Sequence, residues 1–171
     1  MENEDIIVNR VASSTLISFD LEKYREPGDR VLLDIKDQLY QGLVLREKDF
    51  RTFIQQHDWS QYHNKLVAVH CSADAIVPTW AFMLLAIALG PHARFVSFGN
   101  LEDLEKALFR KALAGIDWSQ FHNAKVVVKG CSDEAVPTSA FVEVAHRLST
   151  VAASVMFGEP CSTVPLFKRP R

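Results

Sequence analysis

Three thiols and two carboxylates stand where a folded chain can do chemistry. Cys71 lies in His70-Cys71-Ser72-Ala73-Asp74, Cys131 in Lys129-Gly130-Cys131-Ser132-Asp133, and Cys161 in Gly158-Glu159-Pro160-Cys161. Thiolate and imidazole are ligands for zinc and iron–sulfur clusters, so Cys71, Cys131, Cys161 and His70 form a candidate ligand set if the fold gathers them. No two cysteines have the C-x-x-C spacing that would pre-form such a site. Small thiols near strand ends also serve as packing residues. A single reactive cysteine is the third reading: a helix N-terminus would lower the pKa of Cys71 or Cys131, with His63, His122 or His70 as base. Asp74 and Asp133 either bind a metal or act as general base, or they accept backbone N–H bonds and hold their loops in shape. Thr79 and Thr138 fall in the first turn of a helix, where a hydroxyl caps the turn or meets a ligand.

The elements that must position these residues come from a stretch that occurs twice. Asp58-Trp59-Ser60-Gln61-Tyr62-His63-Asn64 returns as Asp117-Trp118-Ser119-Gln120-Phe121-His122-Asn123, and the same spacing carries Phe98-Gly99 onto Phe157-Gly158. Each copy reads as a tight turn, a buried strand (Leu66 to His70, Lys125 to Lys129), a polar loop, a helix opened by Pro78 or Pro137, and a second strand. Asn100 caps a helix whose buried stripe is Leu101, Leu104, Leu108 and Ala112. A helix from Glu47 precedes the first copy in the same way. Trp59 and Trp118 read as core plugs. Trp80, matched by Ser139, reads as an interface or pocket wall.

Strands alternating with helices at this spacing predict an α/β fold with a mostly parallel sheet flanked by helices. The expected organisation is an N-terminal β-containing extension over 1–45, a first α/β repeat over 46–100 and a second over 101–171 with a C-terminal tail, all in one compact domain. In the extension, Ile17, Phe19 and Leu21 share a strand face, and Val31–Ile35 with Leu43–Leu45 suggest a hairpin. Parallel sheets collect ligands at the C-terminal strand ends, where both cysteine-bearing loops would emerge.

Composition narrows the partners. Nineteen basic against 21 acidic residues leave a net charge of −2, and the basic cluster Lys168, Arg169 and Arg171 is too small for a polyanion groove. No nucleic acid or membrane partner is expected. The acidic start and the odd thiol count point to a reduced, cytoplasmic protein. The longest apolar run, Trp80 to Leu89, is half a bilayer span and is expected to be a buried helix. There is no GxGxxG, Walker A, HExxH or GxSxG pattern.

Three segments carry a resemblance: Gly42-Leu43-Val44-Leu45-Arg46-Glu47-Lys48-Asp49-Phe50-Arg51, Cys71 to Ala81, and Phe157 to Leu166. They resemble the bacterial family catalogued as domain of unknown function 2480, over nearly the whole chain. The resemblance transfers no catalytic residues, because that family has no established activity. It implies an association with sulfur-mobilisation genes, which adds weight to Cys71, Cys131 and Cys161 as ligands. Three functions follow as expectations. One is an accessory or binding protein linked to iron–sulfur cluster or metal handling. Another is a small enzyme using Asp74, Asp133 and one cysteine. The last is a homodimeric interaction module built on the repeated surfaces and Trp80.

Overall fold

The computed structural model describes residues 16–130, 135–159 and 162–170. The chain divides into two compact units. Glu26–Arg110 form a continuous unit, and Met1–Arg25 with Lys111–Arg171 form a split unit. Among the described residues the architecture is mixed α/β, with two mostly parallel sheets and four α-helices.

In the continuous unit, β2 (Arg30–Asp34), β3 (Leu66–His70) and β4 (Phe95–Phe98) pair in parallel in the order β2-β3-β4. The central strand reads Leu-Val-Ala-Val and is buried at each of those positions. That is why it carries no polar alternation: both of its faces are covered. On one face, Val67 and Val69 join Phe50 of α1 (Glu47–Gln56) and Ala81, Leu85 and Leu89 of α2 (Thr79–Leu89). On the other, Leu66 and Ala68 meet Leu104 and Leu108 of α3 (Leu101–Ala114). Asn100 starts α3 by a reciprocal cap: its side chain accepts from Asp103 N at 3.0 Å, and Asp103 Oδ2 accepts from Asn100 N at 3.1 Å.

In the split unit, β1 (Leu16–Phe19), β5 (Lys125–Val128), β6 (Ser154–Glu159) and β7 (Ser162–Lys168) run in the order β1-β5-β6-β7. The first three are parallel and β7 is antiparallel to β6. Helix α4 (Thr138–Val151) packs on β6 and on the 3₁₀ turn Trp118–Phe121. Phe19 stacks on Trp118 at 5.7 Å and meets Phe121 edge-on at 5.6 Å.

The two stretches that share the Asp-Trp-Ser-Gln sequence have matching local geometry. Leu66 pairs with Phe95, and Lys125 pairs with Ser154, so the strand register is the same at the same sequence spacing. Asp58 and Asp117 each accept from the backbone N–H two residues on, at 3.0 Å, and each opens a 3₁₀ turn. Asn64 and Asn123 take φ of 59° and 55°, the left-handed conformation that Asn tolerates and that turns the chain into the next strand.

The structure corrects several local expectations. Residues 31–35 and 43–45 make no hairpin; β2 joins β3 in parallel, and Val44 makes isolated bridges to Tyr40 and Ile76. Leu101 is exposed, and Phe109 and Leu113 take the place expected for it in the buried stripe. Pro78 and Pro137 are cap residues with extended backbone, one position before the first helical turn. The tail contains β7. Its Pro165 lies beside a register shift on the sheet's edge, where a missing N–H breaks no ladder.

Two substitutions separate core from cap. Leu85→Ala empties a fully buried site and is expected to destabilise by about 3 kcal/mol. Asn100→Ala removes only the cap and is expected to cost about 1 kcal/mol. Urea unfolding measures both, and equal effects would contradict this packing.

Candidate functional site

The strand ends of the continuous unit are tied by a carboxylate that the sequence did not single out. Asp34 ends β2 and reaches the loop that follows β3. Its Oδ1 accepts from Ser72 N at 3.1 Å and from Lys36 N at 3.0 Å, and its Oδ2 accepts from the Ser72 hydroxyl at 2.5 Å. Partial burial pushes its pKa up. The Ser72 hydroxyl and amide, the Lys36 amide and the Lys36 charge together outweigh this, and the carboxyl sits below the ordinary 3.8. In the split unit Asp20, the residue just after β1, is also engaged, accepting from Glu22 N at 3.2 Å and pairing with Lys129 Nζ at 3.3 Å. The signal was present in the sequence: Phe19-Asp20-Leu21 and Leu33-Asp34-Ile35 are the same buried–acid–buried pattern at the end of a strand.

The predicted residues divide sharply. His70 ends β3, half-buried, and its carbonyl accepts from Ile35 N at 2.9 Å. Cys71 is half-buried and packs against the apolar core, its Sγ 3.9 Å from the Ala73 carbonyl. Asp74 is exposed. Thr79 and Thr138 are exposed first residues of α2 and α4. Cys131, Asp133 and Cys161 lie outside the described residues. Among the described residues no group of three His, Cys, Asp or Glu side chains could hold a metal ion. His63 and His122 are exposed turn residues whose N–H groups close the 3₁₀ turns on Ser60 and Ser119.

Trp59 is half-buried and donates from Nε1 to the Ile54 carbonyl at 2.8 Å. Trp80 packs edge-on to Phe50 at 6.1 Å, with the Arg51 guanidinium 6.0 Å over its ring. Beside this cluster His57 Nε2 lies 3.1 Å from the Tyr62 hydroxyl. A polar hollow of about 400 Å³ there is lined by Gln38, Asp49, Thr52, Phe53, Gln56 and His57.

The larger concavity is elsewhere, and it is apolar. A groove of about 530 Å³ runs between α2 and β4, lined by Val69, Val77, Phe82, Met83, Val96 and Phe98 among others. Its rim is open, with Met83 60% exposed and Phe98 67%; Ile87, on the same helix but outside the groove's lining, is 71% exposed. The expectation that Trp80 to Leu89 is wholly buried is therefore corrected. One face of α2 fills the core and the opposite face, equally apolar, meets solvent. An eleven-residue helix without a single charged side chain is the sequence signal for this, because surface helices normally carry polar residues on one side.

Fold and site together define a mostly parallel α/β protein whose strand-end carboxylates are engaged in holding loops and whose open surface is apolar. The chain belongs to the family described as protein of unknown function (DUF2480), which matches residues 5–169. No curated protein and no solved structure matches it. No helix among the described residues is long and apolar enough to cross a membrane.

The Asp34 tether has a definite pH signature. A carboxyl held below its unfolded pKa stabilises the fold fully above that value and loses the contribution as pH falls through the folded pKa. The stability difference between wild type and Asp34→Asn is expected to be constant at neutral pH and to narrow below the ordinary 3.8. Urea unfolding at a series of pH values measures it; a difference that grows on acidification would contradict the tether.

Proposed function

We propose that this protein is a non-enzymatic binding module, built from an internal duplication, whose working surface is the apolar face of α2 and β4. The single observation behind this reading is one apolar groove with Met83 and Phe98 exposed on its lining, on a helix that also exposes Ile87. Apolar patches of this kind mark association sites, because covering them releases ordered water and desolvates no charge.

The strand ends argue the same way from the other side. Asp34 and Asp20 already have their hydrogen bonds filled by loop amides and a lysine, and Asp74 stands exposed. A catalytic base needs a carboxylate aimed at substrate, and a metal needs converging ligands. A role in iron–sulfur or metal handling draws its support from the thiols of the sequence, Cys71, Cys131 and Cys161, and from no described geometry.

Sedimentation of the purified protein tests the reading. Association is expected to weaken roughly tenfold or more in Ile87→Glu and in Met83→Glu, as for residues central to an interface. Cys71→Ser and Asp34→Asn are expected to leave it unchanged. Association lost on Cys71→Ser and retained in the helix variants would overturn the proposal in favour of the thiols.

A further inference from the structure

The strand-end carboxylates are filled by their own loops. The hollow beside His57 is the opposite case. The side chains of Gln38, Asp49 and Gln56 line it, and among the described residues none of the three has a hydrogen-bond or ion-pair partner. Thr52 and the half-buried ring of Phe53 complete the wall with His57. Its volume of about 400 Å³ falls within the range of roughly 300–1,000 Å³ usual for small-molecule sites.

His57 is fixed more firmly than its turn requires. The Gln61 amide nitrogen donates to the Asp58 carbonyl at 2.7 Å, which sets the amide's orientation, and it lies 3.2 Å from His57 Nε2. An amide nitrogen only donates. Nε2 therefore accepts, both from Gln61 and from the Tyr62 hydroxyl at 3.1 Å. The ring is then the neutral Nδ1–H tautomer, and that N–H has no partner among the described residues. Phe53, Trp59 and the buried Tyr62 pack around the imidazole, with ring centres 4.9, 4.7 and 5.8 Å away.

The second Asp-Trp-Ser-Gln stretch forms the same turn with Ile116 and Phe121 in the places of His57 and Tyr62, and Gln120 makes the same bond to the Asp117 carbonyl. The corner thus folds without an imidazole or a phenol. At the same spacing Asp49 and Gln56 are matched by Leu108 and Gly115, so the polar set belongs to the first stretch alone.

We propose that this hollow binds a neutral polyhydroxylated small molecule of the monosaccharide type. Its polar groups differ in character: the Asp49 carboxylate only accepts, the His57 Nδ1–H only donates, and the Gln38 and Gln56 amides do both. A carboxylate disfavours an anion here, and an imidazole N–H disfavours a cation. Neighbouring hydroxyls on one ring donate and accept in turn, which meets every member of the set. Phe53 offers an apolar surface to the C–H face of such a ring. Tyr62 and Gln61 are positioning residues, holding the tautomer that keeps a donor free. The hollow shares no residue with the groove between α2 and β4, so it is a second binding site on the continuous unit.

Amide NMR of the full chain tests this with glucose, galactose, ribose and myo-inositol as probes, and methylammonium and inorganic phosphate as charged controls. At least one polyol is expected to shift the Gln38, Thr52 and Gln56 amides saturably, half-saturating in the millimolar range, and the charged controls are expected not to. His57→Ile and Asp49→Ala are each expected to weaken binding about tenfold, with dispersed spectra showing that both variants fold. Tyr62→Phe is expected to keep the fold, weaken binding and mix the two His57 tautomers, read from the imidazole nitrogen shifts. Ile87→Glu is expected to bind the polyol as the wild type does, whatever its effect on association.

No saturable shift from any polyol overturns the proposal, and so does a shift of these amides by methylammonium or phosphate alone. Polyol binding that persists unchanged in His57→Ile and Asp49→Ala overturns the site. Unchanged tautomer and affinity in Tyr62→Phe overturn the positioning role. Polyol binding lost in Ile87→Glu and kept in His57→Ile overturns the site in favour of the α2 groove.

Discussion

The central strand of the continuous unit sets the terms for that unit. Leu66, Val67, Ala68 and Val69 are removed from water on both faces, and a strand buried this way must have a strand on each side and a helix layer above and below. Those four residues call for β2 and β4 as hydrogen-bonding neighbours, for α1 and α2 on one face, and for α3 on the other. The parallel direction then brings the ends of β2 and β3 together. Asp34 can reach Ser72 only because of this.

That consequence changes what the strand ends mean chemically. A carboxylate at the C-terminal end of a parallel sheet is a frequent ligand or base, but Asp34 spends its acceptor capacity on its own loops. Asp20 does the same with Glu22 N and Lys129. The thiol of Cys71 is packed against apolar neighbours, not held in a polar site. The surface left open is the apolar side of α2 with its groove against β4, and among the described residues no strand pairs with the outer edge of β4. In the split unit the corresponding strand carries β7, and the corresponding phenylalanine, Phe157, packs over Gly130, at 36% exposure against 67% for Phe98.

Much of this was readable from the chain. The repeated Asp-Trp-Ser-Gln turns, the valine-rich strands and the helix starts appear within a residue or two of their expected places, because each is fixed by local chemistry: an aspartate cap, a β-branched run, a proline just before a helix. β7 was not readable, since Pro165 argues against a strand unless the strand is known to lie at an edge. The exposed side of α2 was equally obscure. An uninterrupted apolar helix looks like one buried all round, and periodicity cannot tell which side of it the protein itself fills. The candidate site suffered most. Asp74 stands out in the sequence because it lies in the loop after a strand, whereas the carboxylate that reaches this loop, Asp34, comes from the neighbouring strand.

The class of fold, its strands and the turns that separate them are legible in the chain, for these follow from interactions among residues close in sequence. The tertiary structure decided which strands became neighbours, and with that which polar groups were satisfied and which apolar surface stayed open. One parallel neighbour of β3 lies 36 residues earlier in the chain, at β2, while one parallel neighbour of β5 is β1, 109 residues earlier in the chain. Pairings over such separations are selected by the burial of complete faces and edges, a property of the assembled sheet that no local pattern encodes.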